Sequence, residues 1–168
     1  MTSPDKSNLG TVVVAAEEAR SYWQPLPSCG YVTVAITPDE APFDDFSCGT
    51  QVLPPGRHVR EHAHARNHEL IYVYEGAGTL TVDGTTRSVR AGDTILFGRF
   101  SSHRIDNAGP GDLKLFWVFF PPGLEDWFHA IGRPRAAGEA APEPFARPEN
   151  VAEIMARMRF VAPAARKD

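Results

Sequence analysis

Only two of the 168 residues are cysteine, Cys29 and Cys48. Each is flanked by glycine and neither sits in a paired-cysteine pattern, which argues against a thiolate metal site. Two free, buried thiols in a reducing compartment are the expectation. Long apolar runs are also missing: no stretch approaches the roughly 20 residues that a membrane-spanning helix needs. Met1 to Gly10 is polar and lacks the apolar core of a signal peptide, so a cytoplasmic location and no membrane partner are expected. Positive charge is thin. Seventeen Lys and Arg face 21 Asp and Glu, for a net charge of −4. With no basic stripe and no helix-turn-helix pattern, a nucleic-acid partner is not expected. The remainder is ordinary for a globular chain, with 42% hydrophobic and 23% charged residues. A chain of this length forms one domain with a little extra and buries about two thirds of its unfolded surface.

Against this background the histidines stand out. Gly56 is followed by His62-Ala63-His64, then Glu69, then Gly76. Gly92 is followed by Gly98-Arg99-Phe100, then His103 and Asn107. Three imidazoles and one carboxylate form a donor set suited to a divalent first-row transition metal. His62 and His64 are two apart, so on a strand both rings face one side. Glu69 has the wrong parity for a straight continuation, so a turn or bulge at Ala65-Arg66-Asn67 has to reset the register. Leu70 to Tyr74 then reads as a strand. His103 must arrive from a neighbouring strand, and a small closed barrel would bring both frames together around a site of small-molecule size.

The two glycine frames resemble the two motifs of the cupin superfamily. His62, His64, Glu69 and His103 match its four metal ligands, and Asn107 matches the asparagine that closes the second motif. Gly98 stands where the family usually has proline, and Phe100 where it usually has glycine, so the turn ahead of His103 departs from the pattern. The motifs cover residues 56–107. The resemblance implies an all-β fold: a small antiparallel barrel of the double-stranded β-helix, jelly-roll type, with a short C-terminal helical extension. The expected organisation is an N-terminal arm over 1–20, the barrel over 21–122, and a helical, proline-rich extension over 123–168 packing on it. Pro121 to Phe128, Gly132, Pro134 and Arg147 to Val151 are similar to the C-terminal extension of single-domain, quercetinase-like bacterial cupins. These are mostly assigned as metal-dependent dioxygenases.

Along the chain, Thr11 to Val14 is expected as a short edge strand and Ala15 to Trp23 as a helical turn. Strands are expected over 31–36, 46–53 and 94–97, with a hairpin at Asp83-Gly84. Leu113 to Phe120 is an almost unbroken apolar run, which predicts cover on both faces: the core on one side, and a subunit, a tail contact or a second sheet on the other. Leu124 to Ile131 and Glu149 to Met158 read as helices joined by an extended arm. Residues 1–10 are expected as a flexible leader and 163–168 as a frayed end. The resemblance favours a homodimer.

The resemblance implies a metal-dependent dioxygenase that uses molecular oxygen and acts on a small phenolic or enolisable substrate. One divalent transition metal per chain is expected, iron first, with manganese, nickel, cobalt, copper or zinc also compatible. Glu69 would serve as ligand and, on the family's pattern, as catalytic base. Candidate pocket residues are His58, Arg60, Phe46, Phe97, Ile105, Trp117 and Phe119. His58 shares strand parity with His62 and could point into the barrel, with a solvated position after the Pro54-Pro55-Gly56 turn as the alternative. Arg60 shares the same parity and could hold a substrate anion, with a solvated position at a strand end as the alternative. Two other functions suit the same donors: an oxygen-independent isomerase, lyase or polyketide-type cyclase, and a non-catalytic ligand-binding cupin.

Overall fold

The structure is a computed structural model that describes residues 10–41 and 43–161. The expected leader, apart from Gly10, and the expected frayed end lie outside the described residues. Among the described residues, twelve strands and two helices follow in chain order. They are β1 (Arg20–Trp23), β2 (Tyr31–Ile36), β3 (Ser47–Leu53), β4 (His58–His64), β5 (His68–Glu75), β6 (Ala77–Val82) and β7 (Thr85–Arg90). After them come β8 (Thr94–Phe97), β9 (His103–Asp106), β10 (Leu113–Phe120), α1 (Asp126–Ile131), β11 (Arg133–Pro134), α2 (Val151–Arg157) and β12 (Phe160–Val161).

The strands form two antiparallel sheets, one ordered β11-β1-β2-β3-β10-β5-β8 and the other β12-β4-β9-β6-β7. One core joins them. Val32, Leu53, Val73 and Trp117 come from the first sheet, and Leu80 and Ile105 from the second. This is an all-β jelly roll. It differs from the closed sheet expected from sequence, because no ladder joins the edges β11 and β8 to β12 and β7 among the described residues. The chain crosses between sheets in loops, and side-chain packing does what a closed hydrogen-bond ladder would have done.

Local signals explain most elements. Asp83 and Gly84 both take positive φ, 46° and 82°. They make a two-residue turn that pairs Val82 with Thr85, the geometry that Asp-Gly favours. The segment 15–23 differs from expectation. A single turn closes when Glu18 and Ala19 donate to the Ala15 carbonyl, and Arg20–Trp23 is then extended against β2. Thr11 to Val14 forms no strand, because β11 of the tail occupies the free side of β1.

Strand β10 is covered on one face within a single chain. Leu113, Leu115, Trp117 and Phe119 are at most 3% exposed, while Lys114, Phe116, Val118 and Phe120 are only partly buried. One face therefore enters the core. The other stays half-covered, because β10 lies between β3 and β5 and their side chains shield it laterally.

The extension packs against both sheets. Trp127, Phe128 and Ile131 of α1 are buried. Strand β11 pairs with β1, and Leu26 donates to the Phe145 carbonyl from the arm that follows. Helix α2 buries Ile154 and packs Val151, Met155 and Met158 beside the core, as its 3.6-residue stripe predicts. Strand β12 then pairs with Ala63 and His64 of β4. The tail thus adds an edge strand to each sheet, and its last strand lies beside the histidine pair.

Candidate metal centre

The turn expected at Ala65-Arg66-Asn67 is where the chain leaves one sheet for the other, between β4 and β5. It resets parity, so Glu69 enters the site from the seven-stranded sheet while His62, His64 and His103 come from the five-stranded one. His62 pairs with His103 across β4 and β9. One donor atom from each of the four residues lies within 4.8 Å of all the others.

Phe100 takes the left-handed φ of 65° that the motif's usual glycine would supply. Its amide donates to the His64 carbonyl at 2.9 Å. That bond ties the loop carrying the fourth donor to the strand carrying the second. Asn107 closes the frame in another way. Its amide nitrogen donates to the carbonyls of Leu53 and Gly111, and its side-chain oxygen accepts from Gly109.

Second contacts set the tautomers. His62 Nδ1 lies 2.8 Å from the Arg60 carbonyl and His103 Nδ1 lies 2.9 Å from the Ser101 carbonyl. A carbonyl only accepts, so both Nδ1 atoms donate, and both Nε2 atoms are left as the ones a metal would take once unprotonated. His103 Nε2 is 3.2 Å from Glu69 Oε2 but not aligned for a hydrogen bond, and it is left buried without one. His64 Nε2 lies 3.1 Å from the same oxygen, and its Nδ1 is buried and unpartnered. The Phe97 ring lies flat on His103, with centroids 3.9 Å apart and an interplanar angle of 8°.

Electrostatics agree with a cation site. Burial would raise the Glu69 pKa, but the His103 and His64 contacts outweigh it and hold the carboxyl far below the usual carboxylate range. Burial, then the charges of His103 and His64, push His62 well below its ordinary value. An ionised carboxylate with a neutral imidazole is the protonation a metal requires. Donors on one transition-metal ion sit about 2.1 Å from it, hence at most about 4.2 Å apart. The 4.8 Å spread closes with side-chain shifts well under ~1 Å. The cluster is compatible with a single metal ion.

Beside the donors lies a cavity of about 60 Å³. Of the pocket residues expected from sequence, Arg60, Ile105 and Phe119 line it, and His58, Phe46, Phe97 and Trp117 do not. The reasons are local. A bulge between Val59 and His62 breaks the parity argument and turns Val59 inward in place of His58. Trp117 stacks beneath Phe119 with centroids 4.8 Å apart. Phe97 is shielded behind His103, and Phe46 packs on Phe43 outside the cavity. Sequence reasoning missed the residues brought by the tail: Leu124, Trp127, Phe128, Ile131, Arg147 and Phe160. Phe160 lies 5.5 Å from the His62 ring and 5.3 Å from the His64 ring. The signal available was the aromatic Trp127-Phe128 pair after a proline turn, but nothing in it shows which way the tail folds back.

A family model described as a cupin domain matches residues 49–119. An uncharacterised protein of Methanocaldococcus jannaschii is 33% identical over 76 residues, covering 45% of this chain and 61% of that protein. The match therefore spans less than two thirds of the archaeal relative. The tetracenomycin polyketide synthase protein TcmJ of Streptomyces glaucescens is 30% identical over 122 residues, covering 72% of this chain and 82% of TcmJ. A crystal structure of a predicted oxalate decarboxylase from Thermotoga maritima superposes with a TM-score of 0.57 at 25% identity, covering 66% of this chain and 99% of the other.

Proposed function

The chain belongs to the cupin superfamily, and from that premise we propose a metal-dependent dioxygenase acting on a small phenolic or enolisable molecule. The observation that carries the proposal is the placement of four convergent donors beside a compact, mostly apolar cavity that includes four aromatic side chains. His62, His64, His103 and Glu69 would hold the ion, iron first among the metals this donor set accepts. When bound, such a metal polarises an enolate or phenolate oxygen and conducts electrons toward oxygen.

The chain's own residues do the rest. Phe119, Phe128, Trp127 and Phe160 line the cavity and would exclude water and hold a planar substrate by stacking. The cavity is small, about 60 Å³, which favours a compact substrate. Glu69 supports the ligand role more strongly than the base role, since its histidine contacts keep it ionised and weakly basic. It would accept a proton only after those contacts are exchanged for substrate. We also propose a homodimer. Tyr72, Tyr74 and Leu96 are exposed on the outer face of β5 and β8, beside the half-covered Phe116 and Val118 of β10, where a second copy would bury them.

A second reading, an oxygen-independent cyclase or lyase, is favoured by the similarity to TcmJ, a polyketide synthase protein by name, over 72% of this chain. One experiment separates the two. Metal content is measured by elemental mass spectrometry, and turnover of small phenols and 1,3-diketones is then followed with and without oxygen. Oxygen uptake in step with substrate loss supports the dioxygenase. Turnover that proceeds unchanged without oxygen overturns it in favour of the second reading.

A further inference from the structure

Two arginines line the cavity, Arg60 from β4 and Arg147 from the arm of the tail. Both guanidinium groups lie 5.9 Å from the centroid of the same Trp127 ring. Neither is in an ion pair among the described residues, where five such contacts occur elsewhere. Arg60 Nη2 points at the Met155 sulfur, 2.7 Å away, a weak neutral acceptor. Arg147 Nε is buried with no hydrogen-bond partner at all. Glu69 is the one carboxylate among the lining residues described, and it is engaged by His64 and His103.

Half-buried cations without counter-charges are costly, and a guanidinium fork matches a carboxylate in shape. We propose that Arg60 and Arg147 together bind a carboxylate of the substrate, so that the site takes a small oxo- or hydroxy-carboxylic acid. This rests on the reading of the cavity as the substrate site and adds the substrate's charge. The cavity's mostly apolar walls and small volume favour carboxylate over phosphate, whose greater charge and hydration are harder to strip. Burial, then the charge of Arg60, lowers the Arg147 pKa to about 10, which still leaves it cationic at neutral pH. Because Arg147 stands on the tail, the extension would help to select the substrate as well as cover the site.

The test uses metal-free full-length protein and three probes: malonate, its neutral analogue malonamide, and inorganic phosphate, with binding followed by titration calorimetry. Malonate should bind at least tenfold more tightly than malonamide. Arg60→Gln and Arg147→Gln should each weaken malonate about tenfold or more, and Arg147→Lys should weaken it less than Arg147→Gln. Circular dichroism checks that the variants remain folded; should Arg147→Gln unfold, Arg147→Lys and Arg60→Gln carry the test. Equal binding of malonate and malonamide, or malonate binding untouched by the folded variants, overturns the proposal. Tighter binding of phosphate than of malonate overturns the carboxylate assignment. A chain that takes up no metal yet binds malonate through both arginines would overturn the metal enzyme and leave this inference standing.

Discussion

Phe97→Ala tests the link between core packing and the metal centre. Phe97 is 1% exposed, lies in the shared core, and stacks flat on His103 at 3.9 Å. Truncating a buried phenylalanine to alanine costs about 3–5 kcal/mol. For a chain of this size that is about 2–4 °C per kcal/mol, hence a fall in Tm of roughly 6–20 °C. The ring also fixes the plane of His103, whose Nδ1 is already held by Ser101. Losing one of two such supports should weaken metal binding about 10- to 100-fold, the range for groups that orient a ligand. Phe97→Leu separates the effects: it keeps most of the volume, costs less than about 1.5 kcal/mol, and still removes the flat stacking partner. Urea denaturation of metal-free protein gives the stability, and competition with a chromophoric chelator gives the affinity. A loss below about 1 kcal/mol for Phe97→Ala would refute the packing argument. Wild-type metal affinity in Phe97→Leu would refute the positioning argument.

His64→Ala should lose most bound metal while keeping its strand signal in circular dichroism; full metal occupancy in the variant would show that the four-residue cluster is not the site. Gly49→Ala should destabilise by about 1–3 kcal/mol or more, because the added Cβ would lie 1.9 Å from the Thr33 carbonyl oxygen and 2.5 Å from the Trp117 ring; an unchanged denaturation midpoint would refute that. The metal-free protein should lose stability as pH falls through about 6.5. There the unfolded chain takes up a proton that His62, lowered by burial and its neighbouring imidazoles, refuses in the fold. His62→Gln should flatten this fall, and an identical pH profile in the variant would contradict the assignment.

The four donors and the strand–turn–strand frame around them were legible because they depend on local rules. His62 and His64 share a face through the two-residue period of a strand. The parity break before Glu69 required a turn, and a turn is there. Asp83-Gly84 needed only its own backbone preference to make a hairpin. The pocket was not legible to the same depth. Counting in twos puts His58 inside, and one extra residue between Val59 and His62 reverses that count. Trp117 and Phe97 are aromatic and near the motifs, which suggests lining positions, yet each stands one layer behind the residue that faces the cavity.

What the sequence determined by itself was the donor set and the lack of an apolar run long enough to span a membrane as a helix, since each follows from residue types at short spacing, while the all-β class came through the resemblance of its two motifs to the cupins. What only the tertiary structure decided was the far wall of the cavity. Arg147 and Phe160 are separated from His62 by 85 and 98 positions in the chain, and they reach the cavity because the tail pairs first with β1 and then with β4. No local rule encodes that return, because it is set by which sheet edges are left free once the core has formed.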